Sequence, residues 1–188
     1  MCVAAISIGI IVLMIQCGYG QNGTIYGFYE RRLTLKKILF VCHGNICRSP
    51  MAEFLFKDMV KKKGIEDKFF IASAATSTEE IGNGVHYGTR RRLAAEGISA
   101  DGKRAVRLTK DDYAKYDYIL GMEQVNVRNI LRITGGDPQG KVSRLLDFSN
   151  SPRDIADPWY TGDFDTTYDD ITEGLEAFYD HLISENLI

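Results

Sequence analysis

Short apolar runs and longer amphipathic segments alternate along most of this chain. The apolar runs have the length of buried strands, and they occupy residues 38–41, 69–72, 118–122 and 142–146. The segments that follow them carry apolar residues at helical spacing and predict helices over residues 50–63, 87–96, a stretch ending near 133, and 168–183. This alternation predicts an α/β fold, in which a single domain contains a four-stranded parallel sheet with helices on both faces.

A polar loop joins the first predicted strand to the first predicted helix. Its sequence is Cys42-His43-Gly44-Asn45-Ile46-Cys47-Arg48-Ser49. Glycine and asparagine both tolerate positive φ, so the chain can curl tightly at this point. Pro50 suits the first position of the helix, with Ser49 as its N-cap. The sequence therefore predicts a phosphate-binding loop (residues 42–49) after the first strand, with backbone N–H groups and the helix dipole facing an anion.

Two side chains of the phosphate-binding loop fit phosphoryl transfer. At the start of an anion cradle, Cys42 is expected to be a thiolate near neutral pH and therefore a nucleophile. At the end of the loop, Arg48 can bind two phosphate oxygens at once. A cysteine and an arginine at this spacing also arise by chance, as a buried thiol beside a solvated cation. The strand before them and the helix after them favour a cysteine-dependent phosphatase instead.

Composition and charge indicate which partners, compartment and cofactors this protein is expected to have. The chain has 188 residues and a formal net charge of −2 without a basic stripe, so nucleic acid is not an expected partner. Its four cysteines form no evenly spaced framework, which predicts a reducing compartment and a cytoplasmic location. No metal site and no cofactor are expected. The acidic residues near the last helix predict a solvated helix start: Asp163, Asp165, Asp169 and Asp170.

The first part of the chain differs from the rest. Residues 3–15 form an apolar run with the length of a signal-peptide core, too short to span a membrane as a helix. No Lys or Arg precedes this run and no clear cleavage pattern follows it, so export is the minor alternative. We therefore expect residues 1–34 to be an extension outside the domain, for example from a misassigned start. The domain itself is predicted to cover residues 35–188, with no stable membrane association.

Two separated motifs resemble those of a known family. Residues 41–53, from Val41 to Glu53, are similar to the signature of the low-molecular-weight protein tyrosine phosphatases. Far downstream, Asp157-Pro158-Trp159-Tyr160 resembles the family's second motif, in which Asp-Pro is followed by aromatic residues. The stretches 73–77 and 116–122 also resemble family sequences, and the likeness extends from about Leu35 to the C-terminus. An isolated Asp before Pro more often opens a turn, but here it accompanies the loop.

The resemblance implies a mechanism and roles for individual residues. Cys42 is implied to be the nucleophile that forms a phosphocysteine intermediate, and Arg48 to bind the phosphate and the transition state. Asp157 is implied to protonate the leaving phenol and then to activate water. This chemistry is independent of metal ions, acts on phosphotyrosine-containing proteins and releases inorganic phosphate.

The remaining site residues are implied to bind substrate or to support the loop. In relatives the asparagine of the loop holds its strained shape, the following serine donates to the thiolate, and a serine on the second strand supports that asparagine; here these are Asn45, Ser49 and Ser73. Trp159 and Tyr160 are implied to flank the mouth of the pocket and to stack on the substrate ring. The substrate-binding set is therefore His43, Gly44, Asn45, Ile46, Cys47, Ser49, Trp159 and Tyr160, with His43 as pocket wall.

Four further positions depart from the family pattern or have two interpretations. Lys103 stands near the place where relatives often carry a histidine in the Asn–Ser network. The resemblance implies a reversible disulfide between Cys47 and Cys42, whereas a small apolar filler is the alternative for Cys47. His86 and His181 belong to no constellation and are expected to be solvated or to lie on helix surfaces.

Three other functions compete with tyrosine phosphatase activity. Thiol-dependent arsenate reduction uses a similar loop but passes a disulfide to further cysteines, and none follows Cys47. A protein-arginine phosphatase of the same family carries Thr where this chain has Ile46. A non-catalytic phosphate-binding module, from a different class, needs neither a nucleophile nor an acid. The presence of Cys42, Arg48 and Asp157 therefore favours an enzyme.

Overall fold

A four-stranded parallel sheet forms the centre of the molecule. The computed structural model describes residues 35–188. The strands are β1 (Lys36–Cys42), β2 (Phe69–Ala75), β3 (Tyr118–Gly121) and β4 (Val142–Arg144), arranged in the order β2-β1-β3-β4. Every pairing is parallel, and β1 lies between β2 and β3. The predicted α/β class and the parallel four-stranded sheet are confirmed.

Helices cover both faces of the sheet, as predicted. They are α1 (Arg48–Lys62), α2 (Tyr87–Ala95), α3 (Asp112–Lys115), α4 (Gln124–Thr134), α5 (Pro158–Thr161) and α6 (Phe164–Ser184). Two 3₁₀ turns, Glu66–Lys68 and Leu145–Phe148, complete the regular structure. Helices α1, α2 and α6 pack against one another on one side of the sheet, while α4 packs against β1, β3 and β4.

The sequence of β1 is almost wholly apolar because this strand lies inside the sheet and both of its faces are covered. Ile38 and Phe40 enter the core on the side of α1, where Phe40 meets the ring of Phe56 edge-on at 6.0 Å. Leu39 and Val41 enter the second core, on the side of α4. Each of these four side chains is buried, and burial of one such side chain stabilises the fold by about 1.5–3 kcal/mol. Alternating residues can all be apolar because both faces of a parallel sheet are covered.

The carboxyl ends of the strands lie along one edge of the sheet, and the chain's candidate chemistry gathers there. Cys42 is the last residue of β1. The segment that carries Asp157 reaches the same edge because the Ile155 N–H donates to the Met122 carbonyl oxygen, just beyond β3, at 2.8 Å. Parallel sheets place their sites at this edge because all of their strands end there.

The prediction that Ser49 caps the first helix was wrong. Helix α1 begins at Arg48, its N-cap is Cys47, and no side chain caps it. The Ser49 hydroxyl is instead directed at Cys42 and Asn45, with oxygen-to-partner distances of 3.1 and 2.8 Å. Cys42 and Asn45 are buried and need hydrogen-bond partners within the protein. The first N–H groups of α1 need no side-chain cap, because an anion bound in the loop can accept their hydrogen bonds.

Other boundaries shift for local reasons. Strand β2 runs on to Ala75, beyond the predicted end at residue 72, and the fourth strand ends at Arg144, where a 3₁₀ turn begins. The last helix starts at Phe164, one turn earlier than predicted, because the Asp163 carboxylate accepts the Thr166 N–H at 2.9 Å.

Three of the four acidic residues at this helix start have partners within the domain. Asp163 caps α6, Asp165 lies 3.2 Å from Arg92, and Asp170 lies 2.6 Å from Arg153. Within residues 35–188 we find no group of three or more His, Cys, Asp or Glu side chains that could hold a metal ion. In the same part of the chain, none of the helices has both the length and the apolar character needed to cross a membrane. The extension predicted over residues 1–34 lies outside the described residues.

Candidate active site

The sulfur of Cys42 sits at the base of the phosphate-binding loop, where two hydrogen-bond donors face it. The Asn45 N–H donates to the Cys42 Sγ at 3.3 Å, and the Ser49 Oγ lies 3.1 Å from the same sulfur. The side-chain amide of Asn45 donates to the Ser49 oxygen at 2.8 Å. This bond occupies a lone pair of the Ser49 hydroxyl and leaves its hydrogen to point at the sulfur. Donors aimed at sulfur stabilise its thiolate form.

Asn45 is fixed by hydrogen bonds from three separate elements. Its backbone has φ +57°, in the left-handed region that asparagine tolerates better than most residues. Besides the bond to Ser49 on α1, its Nδ2 donates to the Ser73 Oγ on β2 at 2.8 Å. Its Oδ1 accepts the Val106 N–H at 3.1 Å. The side-chain amide has no bonding capacity left, apart from one lone pair, so the loop is locked in its curled shape.

A buried carboxylate lies behind Ser73. The Ser73 hydroxyl donates to the Glu53 Oε2, and the Lys103 Nζ lies 2.9 Å from that oxygen. Burial raises the pKa of Glu53, but Lys103, Lys57 and Ser73 together outweigh it and hold that pKa below the ordinary value. Lys103 therefore joins the hydrogen-bond network that reaches Asn45 through Ser73. Glu53 was missed from the sequence, although it is an acidic residue at a core-facing position of an apolar helix stripe.

Arg48 is buried beneath the loop with only 1% of its surface exposed, and it is held by three acceptors. Its Nη1 donates to the Ile155 carbonyl oxygen at 3.0 Å. Its Nη2 donates to the Asp157 Oδ2 at 2.5 Å and lies 2.9 Å from the Glu123 Oε1. Burial opposes the charge, but Cys42, Asp157 and Glu123 raise the arginine pKa above its ordinary value.

One N–H of the guanidinium is buried without a partner. Within residues 35–188, the Arg48 Nε is one of two buried side-chain polar atoms that accept or donate no hydrogen bond. An unsatisfied buried donor on a cation costs free energy unless a ligand binds it. The orphaned donor is therefore an independent indication that an anion binds beside Arg48.

Glu123 is a residue of the site that sequence reasoning missed. It lies immediately before α4, just beyond the end of β3, and it pairs with Arg48. Its carboxylate also accepts the Asn126 side-chain amide at 3.1 Å, so its position is fixed independently of Arg48. Its place at the carboxyl end of a parallel strand is the one signal in the sequence that could have identified it.

Asp157 combines a capping role with a position beside Arg48. Its Oδ1 accepts the Trp159 N–H at 3.2 Å, which makes it the N-cap of the short helix α5. Its Oδ2 faces Arg48. The turn-opening role typical of Asp-Pro and a place in the site are therefore compatible, because each carboxylate oxygen serves one of them.

A pocket opens above the Cys42 sulfur. The loop forms its floor through Cys42, His43, Gly44, Ile46 and Cys47, and its walls are Glu79, Glu80, Asp157, Trp159 and Tyr160. The aromatic walls reach solvent, with Tyr160 83% exposed. The structure thus brings most of the sequence-predicted site residues to the pocket, whereas Asn45, Arg48 and Ser49 are buried and do not line it.

Two acidic wall residues were not predicted. Glu79 lies 3.1 Å from the exposed His43 ring, which fits His43 as pocket wall. The Glu80 side chain passes over Gly44, where a Cβ would come within 3.1 Å of its Cγ.

The prediction that His86 is solvated or lies on a helix surface was wrong in part, because the residue is half-buried at the start of α2. His86 caps α2, where its Nδ1 accepts the Gly88 N–H at 3.2 Å. Its ring stacks on Phe164 at 5.2 Å and meets Trp159 edge-on at 5.6 Å. Burial, with help from nearby Arg90 and against the pull of Glu80, lowers the histidine pKa. His86 therefore packs behind the aromatic wall of the pocket. His181, on helix α6, packs against Phe148.

Cys47 has the character of a protonated thiol. Burial, followed by the negative groups Cys42 and Asp157, raises its pKa to about 12. Cys42 and Cys47 are both free thiols in the structure. Cys47 is therefore not a competing nucleophile at neutral pH.

The first strand of this parallel sheet ends in a cysteine within an anion-binding loop, and an arginine and an aspartate lie next to that cysteine. This arrangement defines the class of cysteine-dependent phosphatases. The family model for low molecular weight phosphotyrosine protein phosphatase matches residues 37–187. The chain belongs to this family.

Individual relatives agree with this assignment. The low molecular weight protein-tyrosine-phosphatase YfkJ of Bacillus subtilis is 41% identical over 141 residues, which are 74% of this chain and 90% of the relative. Its crystal structure superposes with a TM-score of 0.77 at 39% identity, covering 81% of this chain and 97% of that one. The low molecular weight phosphotyrosine protein phosphatase of Gallus gallus is 39% identical over 149 residues, 77% of this chain and 94% of the relative.

The fold is also shared with a structure named drosophila arginine phosphatase. That match has a TM-score of 0.70 at 25% identity and covers 77% of this chain and 96% of the other. The shared fold alone therefore does not separate the two kinds of substrate.

Proposed function

We propose that this protein hydrolyses phosphotyrosine in proteins through a phosphocysteine intermediate formed on Cys42. The observation that carries the proposal is the juxtaposition of three groups at one pocket. The Cys42 sulfur is faced by two donors, Arg48 lies below with an unpaired buried N–H, and Asp157 lines the pocket. These groups supply the nucleophile, the charge stabilisation and the proton that cleavage of an aryl phosphate requires.

In the first step, the Cys42 thiolate attacks phosphorus while the bond from phosphorus to the phenolic oxygen breaks. Asp157 gives its proton to that oxygen, and tyrosine leaves. In the second step, water attacks the phosphocysteine and Asp157 takes a proton from the water. The phosphorus–sulfur bond breaks, inorganic phosphate departs and the thiolate is restored. Backbone N–H groups of the loop and Arg48 neutralise the charge on the three other oxygens in both steps.

Substrate binding requires Arg48 to exchange one partner. In the structure its Nη2 bonds to Asp157, whereas the phosphate group needs two guanidinium N–H groups at once. Glu123 and the Ile155 carbonyl oxygen keep the guanidinium in place when its hydrogen bond to Asp157 breaks. Once Asp157 is released from Arg48, its carboxyl group is free to face the leaving oxygen and can act as the general acid.

The walls of the pocket support an aromatic substrate. Trp159 and Tyr160 stand exposed at the mouth, where they can stack on the ring of phosphotyrosine. The buried side chain of Ile46 forms part of the floor. An apolar floor residue suits an aryl ester better than a phosphoguanidinium group, whose nitrogen atoms need polar partners. The proposal includes a cytoplasmic location, because a thiolate nucleophile needs reducing conditions.

Turnover of matched peptides tests this proposal. The unmodified protein, assayed in the presence of a chelator, should release inorganic phosphate from a phosphotyrosine peptide faster than from the corresponding phosphoarginine peptide. A preference for phosphoarginine would contradict the tyrosine assignment, whereas binding of both peptides without phosphate release would indicate a non-catalytic phosphate-binding module.

The Ile46→Thr substitution tests whether the pocket floor determines the preference for phosphotyrosine over phosphoarginine. A hydroxyl on the pocket floor provides room and a polar partner for guanidinium nitrogen. We expect the ratio of kcat/KM for phosphoarginine to that for phosphotyrosine to rise by about tenfold, which corresponds to one good hydrogen bond. The control is Ile46→Val, which also shortens the side chain but adds no hydroxyl. An equal change of the ratio in both variants would attribute the effect to volume alone.

Cys47→Ser tests the redox role that the family resemblance implies. Peroxide should convert Cys42 to a sulfenic acid, and the Cys47 thiol should then condense with it to a disulfide and release water. Activity of the unmodified protein should return with dithiothreitol, which reduces the disulfide, whereas Cys47→Ser should lose activity mostly irreversibly. The measurement is the recovered fraction of turnover after a fixed peroxide pulse. Equal recovery in the two proteins would leave Cys47 as a packing residue.

A further inference from the structure

The chain between β2 and α2 forms one wall of the pocket, and this wall is acidic. In the wall segment (residues 76–86), Glu79 and Glu80 both line the pocket. Asp157 lines it as well, but one of its oxygens already contacts Arg48. Among the pocket-lining residues of the described part of the chain there is no Lys or Arg. The mouth is therefore negative, although the group that it has to admit is itself a phosphate with a charge near −2.

Carboxylates in this position oppose the binding of a phosphate. The orphaned N–H of Arg48 indicates that an anion binds in the phosphate-binding loop. The Glu80 side chain packs over Gly44 of the same loop, where a Cβ would lie 3.1 Å from its Cγ. Two negative charges at such short range repel each other unless a cation lies between or beside them. The acidic wall therefore fits a substrate that carries a positive charge next to its phosphoryl group.

Hydrogen bonds fix the wall segment to the phosphate-binding loop at both of its ends. Near its start, the Ser77 N–H donates to the His43 carbonyl oxygen at 3.0 Å. At its end, the His86 N–H donates to the Ile46 carbonyl oxygen at 2.9 Å. The two carboxylates are therefore held above the loop before any substrate arrives. Charges that are already in place bind a ligand without the cost of ordering a flexible segment.

Both carboxylates can accept further hydrogen bonds. The Glu80 Oε2 accepts the Asn83 side-chain amide at 2.7 Å, and the Glu79 Oε2 lies 3.1 Å from the His43 Nε2. A carboxylate has about four acceptor positions, so these contacts leave room for a cation at each residue. The side chains of Glu79 and His43 are 71% and 48% exposed, and exposed pairs of this kind contribute little. The contact with His43 therefore does not prevent Glu79 from turning to a substrate.

We propose that Glu79 and Glu80 are specificity-determining residues, which make this enzyme select phosphotyrosine that has a lysine or arginine next to it in the protein substrate. This inference rests on the proposed phosphatase function and adds the sequence context of the substrate to it. The phosphoryl group binds in the loop, and the long cationic side chain of the neighbouring residue reaches the acidic wall. A glutamate or aspartate at the same place in the substrate is repelled by the same two charges.

The experiment compares two phosphotyrosine peptides of equal length, one with lysine and one with glutamate on both sides of the phosphotyrosine. The measured quantity is the ratio of their kcat/KM values, lysine peptide over glutamate peptide, in which any effect common to both peptides cancels. For the unmodified protein at low ionic strength we expect a ratio of about ten, with a contribution of about threefold from each carboxylate. The ratio should fall toward one as salt is added, because the charges at the mouth are exposed and become screened.

Isosteric variants test each carboxylate separately. Glu79→Gln and Glu80→Gln remove one charge each while keeping an oxygen that can accept the existing hydrogen bonds. Each should lower the ratio by about threefold, and the double variant should bring it close to one. Glu79→Lys reverses the charge and should lower the ratio further than Glu79→Gln does. The matched control is Glu66→Gln, because Glu66 is exposed but lies outside the pocket, and it should leave the ratio unchanged.

Each outcome bears on the proposal. A ratio near one in the unmodified protein overturns it, as does an unchanged ratio in the double variant or an equal change in Glu66→Gln. If the double variant does not fold, the salt dependence in the unmodified protein decides, and a ratio that salt leaves unchanged overturns the proposal.

Failure of the proposed function gives a different result. If the unmodified protein releases no phosphate from either peptide, it is not a tyrosine phosphatase, and equilibrium binding of the same two peptides then tests the acidic wall alone. Tighter binding of the lysine peptide would support the role of Glu79 and Glu80 in recognition, and equal affinities would overturn it.

Discussion

Cys42→Ser is expected to abolish turnover of aryl phosphates while the fold remains intact. A serine hydroxyl is not ionised near neutral pH, even where two donors face it, so the substitution removes the nucleophile. Loss of a nucleophile in an otherwise intact site lowers kcat by roughly 10⁴-fold or more. The measurement is phosphate release from a phosphotyrosine peptide and from p-nitrophenyl phosphate, with inhibition by inorganic phosphate followed in parallel. The substitution changes only one atom of a buried side chain, so the melting temperature should move little.

Cys47→Ser is the matched control for this prediction. It makes the same chemical change at the neighbouring buried thiol, which burial keeps protonated. Because a loop of this kind binds phosphate through backbone N–H groups, which the substitution leaves in place, turnover should survive in this variant. If Cys42→Ser kept activity within roughly tenfold of the unmodified protein, Cys42 could not be the nucleophile.

The strands and the phosphate-binding loop could be predicted because their signals are local. Residues 38–41 form an uninterrupted apolar run, and a strand with that pattern has to be buried on both faces. The polar loop that follows contains residues suited to positive φ, and Asn45 adopts φ +57°. Parallel strands all end at one edge of the sheet. Asp157 follows the last strand in the sequence, so it could be expected at the same edge as Cys42.

The errors occurred where tertiary contacts compete with local preference. Ser49 is a good N-cap by composition, but in the folded chain its hydroxyl serves Cys42 and Asn45. His86 has no distinguishing neighbours in sequence, and its burial arises only when Phe164 and Trp159 pack around it. Local propensity describes what a segment can do alone, so it cannot anticipate contacts made between distant elements.

Glu123 and Glu53 could not be assigned roles from sequence for a related reason. Both are acidic residues in or beside helices, where solvated carboxylates are common. Their functions depend on buried cations, Arg48 for Glu123 and Lys103 for Glu53. The family resemblance indicates a role for Lys103, but its partner Glu53 is defined only by the packing of α1 against β2.

Asp157→Asn is expected to slow cleavage of phosphotyrosine much more than cleavage of activated esters. A phenol with pKa about 10 leaves slowly as an anion and needs a proton, whereas one with pKa about 7 departs almost unaided. Loss of a general acid should therefore lower kcat for a phosphotyrosine peptide by roughly 10²–10⁴-fold, and for p-nitrophenyl phosphate by distinctly less. The asparagine oxygen can still accept the Trp159 N–H, so the cap of α5 is kept.

The comparison of two substrates makes this prediction specific to proton donation. Asp154→Asn is the control, because Asp154 lies in the same segment but accepts the Gln124 N–H and pairs with Arg144, each at 2.9 Å. It should affect both substrates slightly and equally. An equal loss on both substrates in Asp157→Asn would mean that Asp157 serves mainly to hold Arg48 and the segment in place. A loss that grows with the pKa of the leaving phenol, measured over a series of substituted phenyl phosphates, would instead identify Asp157 as the acid, because only proton donation depends on the leaving group in this way.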